Sequence, residues 1–403
     1  MSPIQVILAF ACLLLAGCST IPPAPATANC PPGAACPACP PPVAMPPSVP
    51  PPFSRTLQVA EWSELPGWQD DDLAAAWPAF LQSCRGLAGR PHGGEWQRVC
   101  ELAQTAGDRP GFDIRAFFQD NLKPYAIVGD DGSASGTITG YYEPLLRGSR
   151  RPSRGFKQPV LGVPDDLLSI DLAAVFPELK DKRLRGRIEG KRVLPYWTRA
   201  EIVARGESIP ARTLLYVDDA VELFFLQVQG SGRVRLADGS MVRLSYADQN
   251  GHPYQSIGRV LVARGELKLE EASMQGIRAW ARANPGRLDE LLNNNPSYVF
   301  FREMPDSQDG PLGALGVPLT AERSIAVDPR SVPLGAPVFL STTRPNSAQP
   351  LNRLVLAQDT GGAIKGAVRA DFFWGFGKAA GELAGRMKQS GRMWLLLPPE
   401  AAP

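Results

Sequence analysis

The chain has 403 residues and a nearly balanced charge, with 42 Lys and Arg against 40 Asp and Glu and a formal net charge of +2. This balance gives no electrostatic reason to expect a nucleic-acid partner. Only two histidines are present, His92 and His252. So few imidazoles argue against histidine-ligated metal sites and against a Ser-His-Asp triad, unless His252 alone supplied the base.

The chain begins with an apolar run, residues 4–16, followed by Gly17 and Cys18. The run is too short to cross a bilayer of about 30 Å as a helix. Small residues before a cysteine resemble the lipobox of bacterial lipoproteins, which predicts a signal peptide over 1–17 and a lipid anchor on Cys18. The alternative is an ordinary secretory signal with an incidental cysteine. No Lys or Arg precedes the run, which leaves the true start codon open.

Residues 18–54 are dominated by proline, alanine and small polar side chains, and the first charged side chain is Arg55. Such a segment is unable to bury a core, so it is predicted to be an extended tether with a reach on the order of 100 Å. The pair Cys36 and Cys39 has metal-ligand spacing, but no second Cys or His pair accompanies it. No zinc site is therefore predicted.

The folded part begins with a segment of helical periodicity, residues 72–107, in which apolar side chains such as Trp77 and Phe80 recur at helical spacing. It contains Cys84 and Cys100, the only cysteines after the tether. In an oxidising compartment these two could close a disulfide worth about 3 kcal/mol. The alternative is a pair of free, buried thiols.

From about residue 136 the pattern changes to short apolar runs between turn residues, which is typical of strands. Strands are predicted at 222–228, 233–236 and 241–246, with a tight turn at Asp238-Gly239. The later predictions are helices at 256–264, 273–283 and 286–292, strands from about 324, and one more helix near 378–387. Composition alone indicates a β-rich chain of two domains.

Two carboxylates flank a glycine-rich turn near the C-terminus: Asp359 precedes the turn, Lys365 lies within it, and Asp371 follows it. Three aromatic residues come directly after Asp371, at 372–374. Desolvation by these rings would raise the pKa of Asp371 toward the range of a general acid. The alternative is a β-hairpin with both aspartates as solvated strand ends.

These motifs resemble a known family. The runs DTGGAIKG at 359–366 and ADFFWGFG at 370–377, together with Asp328 in VDP, are similar to the three-aspartate domain of the membrane-bound lytic murein transglycosylase A family. Further matches follow the family's order, namely GYYEP at 140–144, QVQGSG at 227–232, NGHPYQSIG at 250–258 and NPSYVFF at 295–301. Each match alone is weak, but together they cover roughly residues 140–397.

The resemblance implies a mainly β fold with flanking helices, of the α+β class. Its main domain, a double-psi β-barrel, is expected to combine residues 55–144 and 246–398, with the three-aspartate region at about 320–398. A second β-rich domain that binds substrate is expected as an insertion at 145–245. A groove separates the two domains in the resembled family.

The resemblance also implies a lytic transglycosylase that cuts the β-1,4 bond between N-acetylmuramic acid and N-acetylglucosamine. An exolytic enzyme is expected, and cutting within the glycan strand stays open as the alternative. The C6 hydroxyl of the muramic acid attacks C1 and leaves a 1,6-anhydro ring, so one acid/base suffices and no cofactor is needed. That role is assigned to Asp371. Asp359 and Asp328 are expected to orient the site or stabilise positive charge on the sugar; the alternative is that they anchor barrel loops.

Sugars stack on flat rings and bond to amides and hydroxyls. The substrate-binding candidates are accordingly Tyr141, Tyr142, Gln229, Ser231 and Tyr254, with Lys365 for the substrate's carboxylates; each has a structural alternative. His252 lies in a turn and is expected to be structural or substrate-facing.

The expected partners are peptidoglycan glycan strands, the membrane through Cys18, and other wall enzymes. Ser19 after the cysteine resembles the signal for the outer membrane, with the protein facing the periplasm. Two alternative functions stay open. One is a hydrolytic muramidase in which Asp359 or Glu143 activates water, and the other is a non-catalytic glycan-binding lipoprotein.

Overall fold

The computed structural model of the protein describes residues 57–90, 93–106, 111–179, 182 and 184–401. The predicted signal peptide, Cys18, the tether with its cysteines, and His92 lie outside these residues. Within the described residues, every helix is too short or too polar to cross a membrane.

Runs of helices and runs of strands follow one another along the described chain. The helices are α1 (Leu73–Leu87), α2 (Gln97–Ala106), α3 (Ile114–Asn121), α4 (Arg199–Arg205), α5 (Ala220–Gln229), α6 (Ile257–Ala263), α7 (Met274–Ala283), α8 (Leu288–Asn293) and α9 (Gly377–Ala384). The strands are β1 (Leu57–Val59), β2 (Lys123–Ile127), β3 (Gly136–Glu143), β4 (Leu145–Ser149), β5 (Gln158–Leu161), β6 (Leu168–Ile170), β7 (Leu184–Glu189), β8 (Arg192–Pro195), β9 (Thr213–Val217), β10 (Ser231–Arg235), β11 (Met241–Gln249), β12 (Val299–Met304), β13 (Ser324–Val327), β14 (Pro337–Thr343), β15 (Pro350–Thr360), β16 (Arg369–Phe376) and β17 (Lys388–Leu397).

Six strands close into a barrel in the order β17, β14, β15, β13, β16, β3, with β3 pairing back to β17. The β13–β15 and β3–β16 pairs are parallel and the other four are antiparallel. One barrel strand, β3, comes from the N-terminal part of the chain and five come from the C-terminal part. The closed barrel with flanking helices confirms the predicted fold class.

The N-terminal helices pack against the barrel strands in one large apolar core. Aromatic side chains of α1 and α3 meet edge to face there; the ring centroids of Trp77 and Phe117 are 5.0 Å apart. A disulfide bond joins Cys84 of α1 to Cys100 of α2. Of the two alternatives for these cysteines, the structure has the bonded one.

A second sheet, in the order β12, β11, β10, β4, β9, β5, lies outside the barrel, together with a three-stranded sheet of β6, β7 and β8. Strand β11 pairs with β12 from Arg243 to Gln249, past residue 245 and through a bulge between Tyr246 and Asp248. The second sheet therefore extends to Met304, beyond residue 245, where the sequence placed the end of the inserted domain.

The segment 222–228, predicted as a strand, lies in helix α5, so that prediction is wrong. The Asp219 side chain accepts hydrogen bonds from the backbone N–H groups of Val221 and Glu222 and caps the helix start. Gly230, with φ of 77°, ends it in the left-handed region. Both faces of α5 are largely buried, so its apolar run lacks the polar stripe that would have indicated a helix.

Candidate active site

The two carboxylates of the glycine-rich motif lie on one face of the barrel. Asp359 of β15 and Asp371 of β16 are both paired with Ala326 of β13, which runs between them. Residues opposite each other in a ladder point to the same side of a sheet, and strands lie about 4.8 Å apart. The backbones that carry the two carboxyls are therefore about 10 Å apart. The β-hairpin alternative is wrong, because β15 and β16 are not neighbours.

An apolar cluster lies beside these carboxyls and consists of Tyr141, Leu319, Ala326, Ile364 and Phe373. The rings of Tyr141 and Phe373 pack with centroids 5.1 Å apart.

Of the three aromatic residues after Asp371, only Phe373 shares its face. Phe372 and Trp374 point to the other side of β16 and join the main core, because side chains alternate along a strand. The prediction that all three rings surround Asp371 needs this correction.

Asp371 is half-buried. Its Oδ1 accepts a hydrogen bond of 2.6 Å from the Thr139 hydroxyl, across the β3–β16 pair. Burial raises the pKa of Asp371, while the Thr139 hydrogen bond and the positive charge of Arg369 act in the opposite direction. A carboxyl with a raised pKa that is still stabilised as an anion is suited to both giving and taking a proton.

Asp359 accepts more hydrogen bonds from the protein than Asp371 does. Its Oδ1 accepts from the backbone N–H groups of Ala314 and Thr360, each at 2.9 Å, and its Oδ2 accepts from the Tyr141 hydroxyl at 3.1 Å. Burial raises the pKa of Asp359 to about 6 against these hydrogen bonds, and the charge of Asp371 adds to the rise. Burial and the two aspartates raise the pKa of Tyr141, so its hydroxyl keeps its proton.

Asp328 follows β13 and is almost fully buried. Arg330 donates to it from Nε at 3.0 Å and Nη2 at 2.6 Å, and the Gly366 N–H donates to Oδ2 at 2.9 Å. Burial alone would raise the pKa of Asp328, but these hydrogen bonds lower it to about 2. The hydrogen bond to Gly366 holds the glycine-rich turn against the end of β13. This agrees with the alternative that Asp328 anchors a barrel loop. Lys365 in that turn is exposed.

The remaining substrate-binding candidates are dispersed. Tyr142 is only 4% exposed and lies in the main core, and Tyr141 is 8% exposed and packs in the apolar cluster beside the carboxyls. Neither ring therefore offers an open face to a sugar, contrary to the prediction. The Gln229 side-chain oxygen accepts from the Tyr142 backbone N–H at 3.1 Å, which links α5 to β3. Ser231 is half-buried at the start of β10. Tyr254, which is 47% exposed, lies between β11 and α6.

Two further groups have structural partners. Glu143 is 1% exposed and accepts a hydrogen bond of 3.0 Å from Arg233 Nε, so this rival carboxylate is not placed to activate water. His252 Nε2 lies 2.7 Å from the backbone oxygen of Tyr196, which agrees with a structural role. No group of three His, Cys, Asp or Glu side chains is arranged to hold a metal ion in the part of the chain that the structure describes.

Two residues of this site, Thr139 and Arg369, were not predicted from the sequence. Thr139 lies two positions before Tyr141 on β3, and Arg369 lies two positions before Asp371 on β16. The period of two in a strand places each of them on the face of its motif residue. Applying that period to both motifs would have found them.

Family models match two regions of the chain. Residues 137–302 match the model described as MltA specific insert domain, and residues 323–397 match the model described as 3D domain. The first region contains β3 and the second sheet, and the second contains the other five barrel strands.

Individual relatives agree with these models. The membrane-bound lytic murein transglycosylase A of Escherichia coli is 34% identical over 295 residues, which are 72% of this chain and 73% of the relative. A crystal structure of MltA from Neisseria gonorrhoeae is 43% identical, has a TM-score of 0.75 and covers 85% of this chain and 92% of its own. Escherichia coli MltA with bound chitohexaose is 30% identical, has a TM-score of 0.61 and covers 81% of this chain and 90% of its own.

Proposed function

The chain belongs to the membrane-bound lytic murein transglycosylase A family, and on that premise we propose that Asp371 is the single acid/base with which it cleaves peptidoglycan. The enzyme is a lytic transglycosylase. It breaks the β-1,4 bond between N-acetylmuramic acid and N-acetylglucosamine and leaves 1,6-anhydromuramic acid ends.

In the first half of the reaction, protonated Asp371 donates its proton to the glycosidic oxygen as the bond from that oxygen to C1 breaks. The leaving N-acetylglucosamine departs with a free hydroxyl, and positive charge develops on the muramic acid ring. In the second half, ionised Asp371 accepts the proton of the C6 hydroxyl as O6 bonds to C1. Asp371 returns to its protonated form, and no water is consumed. The attacking hydroxyl belongs to the substrate, so its effective concentration is high.

One observation supports Asp371 over Asp359 in this role. Among the described residues, Asp371 receives one side-chain hydrogen bond, at Oδ1, and its Oδ2 has no protein partner. Both oxygens of Asp359 are occupied by donors, so Asp359 is poorly placed to transfer a proton or to activate water as a muramidase would require. Its raised pKa alone does not make it the acid, because a general acid must reach the substrate.

The other aspartates support the site in different ways. We propose that Asp359, held by Tyr141, lies near the sugar ring and stabilises its positive charge when ionised. Asp328 holds the glycine-rich turn, from which the exposed Lys365 reaches the lactyl or peptide carboxylates of the substrate. Tyr254 and Ser231 are the remaining candidates for sugar contacts on the second sheet's side, and that sheet, over about 145–304, is the proposed substrate domain.

Replacement of Asp371 tests the assignment. We expect Asp371→Asn to lower the release of soluble products from purified peptidoglycan by about 1,000-fold, because the Asn amide has no acidic proton that it can transfer to the glycosidic oxygen. Chitohexaose binding should stay near that of the unmodified enzyme, and the melting temperature should not fall, because burial raises the pKa of Asp371 and Asn removes the cost of its charge. Asp289→Asn, the same change at an exposed carboxyl of α8, is the matched control.

Mass spectrometry of the products separates the alternatives. Anhydromuramic ends, lighter by one water than reducing ends, support the transglycosylase. Reducing ends would support a muramidase, and no product from the unmodified protein would support a glycan-binding role. An Asp371→Asn enzyme that still cleaves at a near-normal rate would contradict the assignment.

The protein is a membrane-bound enzyme, and we propose that its anchor is a lipid on Cys18, that residues 18–54 span the distance to the wall, and that the membrane is the outer one. In that place it would meet other wall enzymes. Cys18→Ser should move the protein from the outer-membrane fraction to the soluble periplasmic fraction. Fractionation of cells followed by immunoblotting measures this, and a Cys18→Ser protein still in the outer membrane would refute the anchor.

A further inference from the structure

We propose that Arg369 and Thr139 form a positioning pair that keeps the transferable proton of Asp371 on its Oδ2 atom. The inference rests on the proposed role of Asp371 as acid/base. Oδ2 is then the carboxyl oxygen that meets the substrate, and the reaction depends on Thr139 and Arg369 as well as on Asp371.

The three side chains follow one another along the parallel β3–β16 pair. In this pair Arg369 is opposite Thr137 and Asp371 is opposite Thr139. Arg369 Nη2 lies 3.0 Å from Thr139 Oγ1, and Thr139 Oγ1 lies 2.6 Å from Asp371 Oδ1. Arg369 Nη1 is held by the backbone oxygens of Thr137 and Ala370. These backbone contacts hold the guanidinium in place independently of its contact with Thr139.

The chemistry of the three groups fixes the direction of each hydrogen bond. A guanidinium only donates, so Thr139 Oγ1 is the acceptor from Arg369. A threonine hydroxyl has one proton, and that proton is left for Asp371 Oδ1. When Asp371 is ionised, Oδ1 can only accept, so the Thr139 hydroxyl donates to it. The positive charge of Arg369 at Oγ1 disfavours a second donor there, so the same direction is favoured when Asp371 is protonated, and the acidic proton then resides on Oδ2.

Oδ2 is the oxygen with no protein partner among the described residues. It is therefore available to donate to the glycosidic oxygen and then to accept from the C6 hydroxyl. The same hydrogen bond prevents rotation of the carboxyl, and it stabilises the anion that exists between the two proton transfers. Without Thr139 and Arg369, the carboxyl of Asp371 would hold its proton more tightly, and the proton could lie on either Oδ1 or Oδ2.

Thr139→Val removes the hydroxyl and keeps the shape of the side chain. We expect kcat to fall about 10-fold or more with little change in KM. The alkaline limb of the kcat profile should move to higher pH, because the reaction requires protonated Asp371 and loss of a donor to its anion raises its pKa. Thr139→Ser restores the hydroxyl and should recover most of the lost activity.

Thr137→Val, on the same strand, is the matched control, since Thr137 contacts Arg369 through its backbone oxygen and not through its hydroxyl. A merely structural role of Thr139 would lower activity through folding without moving the pH profile. An unmoved alkaline limb in a folded Thr139→Val enzyme would therefore overturn the inference.

Arg369→Met tests the second member and serves if Thr139→Val folds poorly. It should lower kcat and also move the alkaline limb upward, because the hydroxyl is then free to turn away from Asp371. Arg369 acts through Thr139, so the double variant should lose little more kcat than Thr139→Val alone. Losses that multiply in the double variant would contradict the relay.

The result for Asp371→Asn separates the two levels of the argument. If Asp371→Asn is active, the proposed function fails, whatever Thr139 does. If Asp371→Asn is inactive while folded Thr139→Val and Arg369→Met have normal kcat and normal pH profiles, only the positioning pair is wrong.

Discussion

Asp359 and Asp371 are opposite the same residue of β13, yet the protein treats their carboxyl groups differently. Asp359 accepts three hydrogen bonds that involve both of its oxygens, whereas Asp371 accepts one. Burial raises the pKa of both. The two carboxyl groups therefore differ in hydrogen-bond occupancy, and the proposed supporting role of Asp359 and reacting role of Asp371 rest on that difference.

The raised pKa of Asp359 has a consequence for stability. An unfolded aspartate has a pKa near 4, and the folded value is about 6. The folded state thus binds the proton more tightly, so the associated stability is fully present below about pH 4 and is lost as the pH rises through 6. At pH 7 the ionised group costs up to about 3 kcal/mol.

Asp359→Asn should remove this cost, because its side-chain oxygen still accepts from Ala314 and Thr360. We expect the variant to be about 1–3 kcal/mol more stable than the unmodified enzyme at pH 7 and equally stable near pH 4. Urea denaturation at both pH values measures the difference, with Asp289→Asn as a control that should show no gain in stability at pH 7, since Asp289 lies in the first turn of α8. A variant less stable at pH 7 would show that ionised Asp359 is stabilised overall.

For single residues, the sequence predicts which residue types belong to the site better than it predicts the direction in which each side chain points. Neighbouring residues of a strand point to opposite faces, so Tyr141 and Tyr142 cannot both line the site. The motif placed both there, and the structure has only Tyr141 beside Asp359. The motif alone did not tell which of the two tyrosines lines the site. That choice also required knowing that the motif lies on a strand and that one residue of this strand faces the site.

At the scale of elements, the local signals predicted most helices correctly. Ser256 and Ser273 cap α6 and α7 with their side chains, as serines before an apolar run usually do. The turn at Asp238-Gly239 joins β10 and β11 as predicted.

The failure at α5 has a physical cause. A helix buried on most sides has no polar face, and its apolar run resembles that of a buried strand. The cap at Asp219 and the C-terminal glycine, Gly230, were the local signs of the helix. The apolar run at 222–228 was given more weight than these two signs, and a strand was predicted.

The pairing of the strands could not be obtained from local patterns. Strand β13 has four residues, all buried, and nothing in them indicates that it separates β15 from β16. That arrangement follows from closure of the barrel, which depends on strands far apart in the chain. The resemblance to a family supplied the barrel, and periodicity alone would not have done so.

At the scale of the whole molecule, Arg233 joins the barrel to the second sheet. From β10 it donates to Glu143 at the end of β3, at 3.0 Å, and to the backbone oxygens of Ser307 and Asp309 in the segment that leads back to the barrel. The side chains of Arg233 and Glu143 are 8% and 2% exposed. Burial raises the pKa of Glu143, and the charge of Arg233 opposes this.

Arg233→Met should destabilise the protein by about 3–5 kcal/mol, since it leaves a buried carboxylate without its partner. Adding Glu143→Gln should recover part of that loss, because the buried charge is then gone. Chemical denaturation of the single and double variants measures both effects. Arg147→Met, at the exposed pair with Asp218, is the control and should cost less than about 1 kcal/mol. A loss of similar size in both single variants would contradict the argument.

The position of β3 in the barrel also bears on when, as the chain is completed, the enzyme is able to cut the wall. Both neighbours of β3 in the barrel come from the far end of the chain, and Thr139 is 232 residues from Asp371. A polypeptide that stops short of β16 lacks Asp371 and leaves both edges of β3 unpaired. On the proposed assignment, the ability to cut the wall arises only when the final strands have emerged and the barrel is closed, so we expect a molecule truncated before β16 to release no product from peptidoglycan.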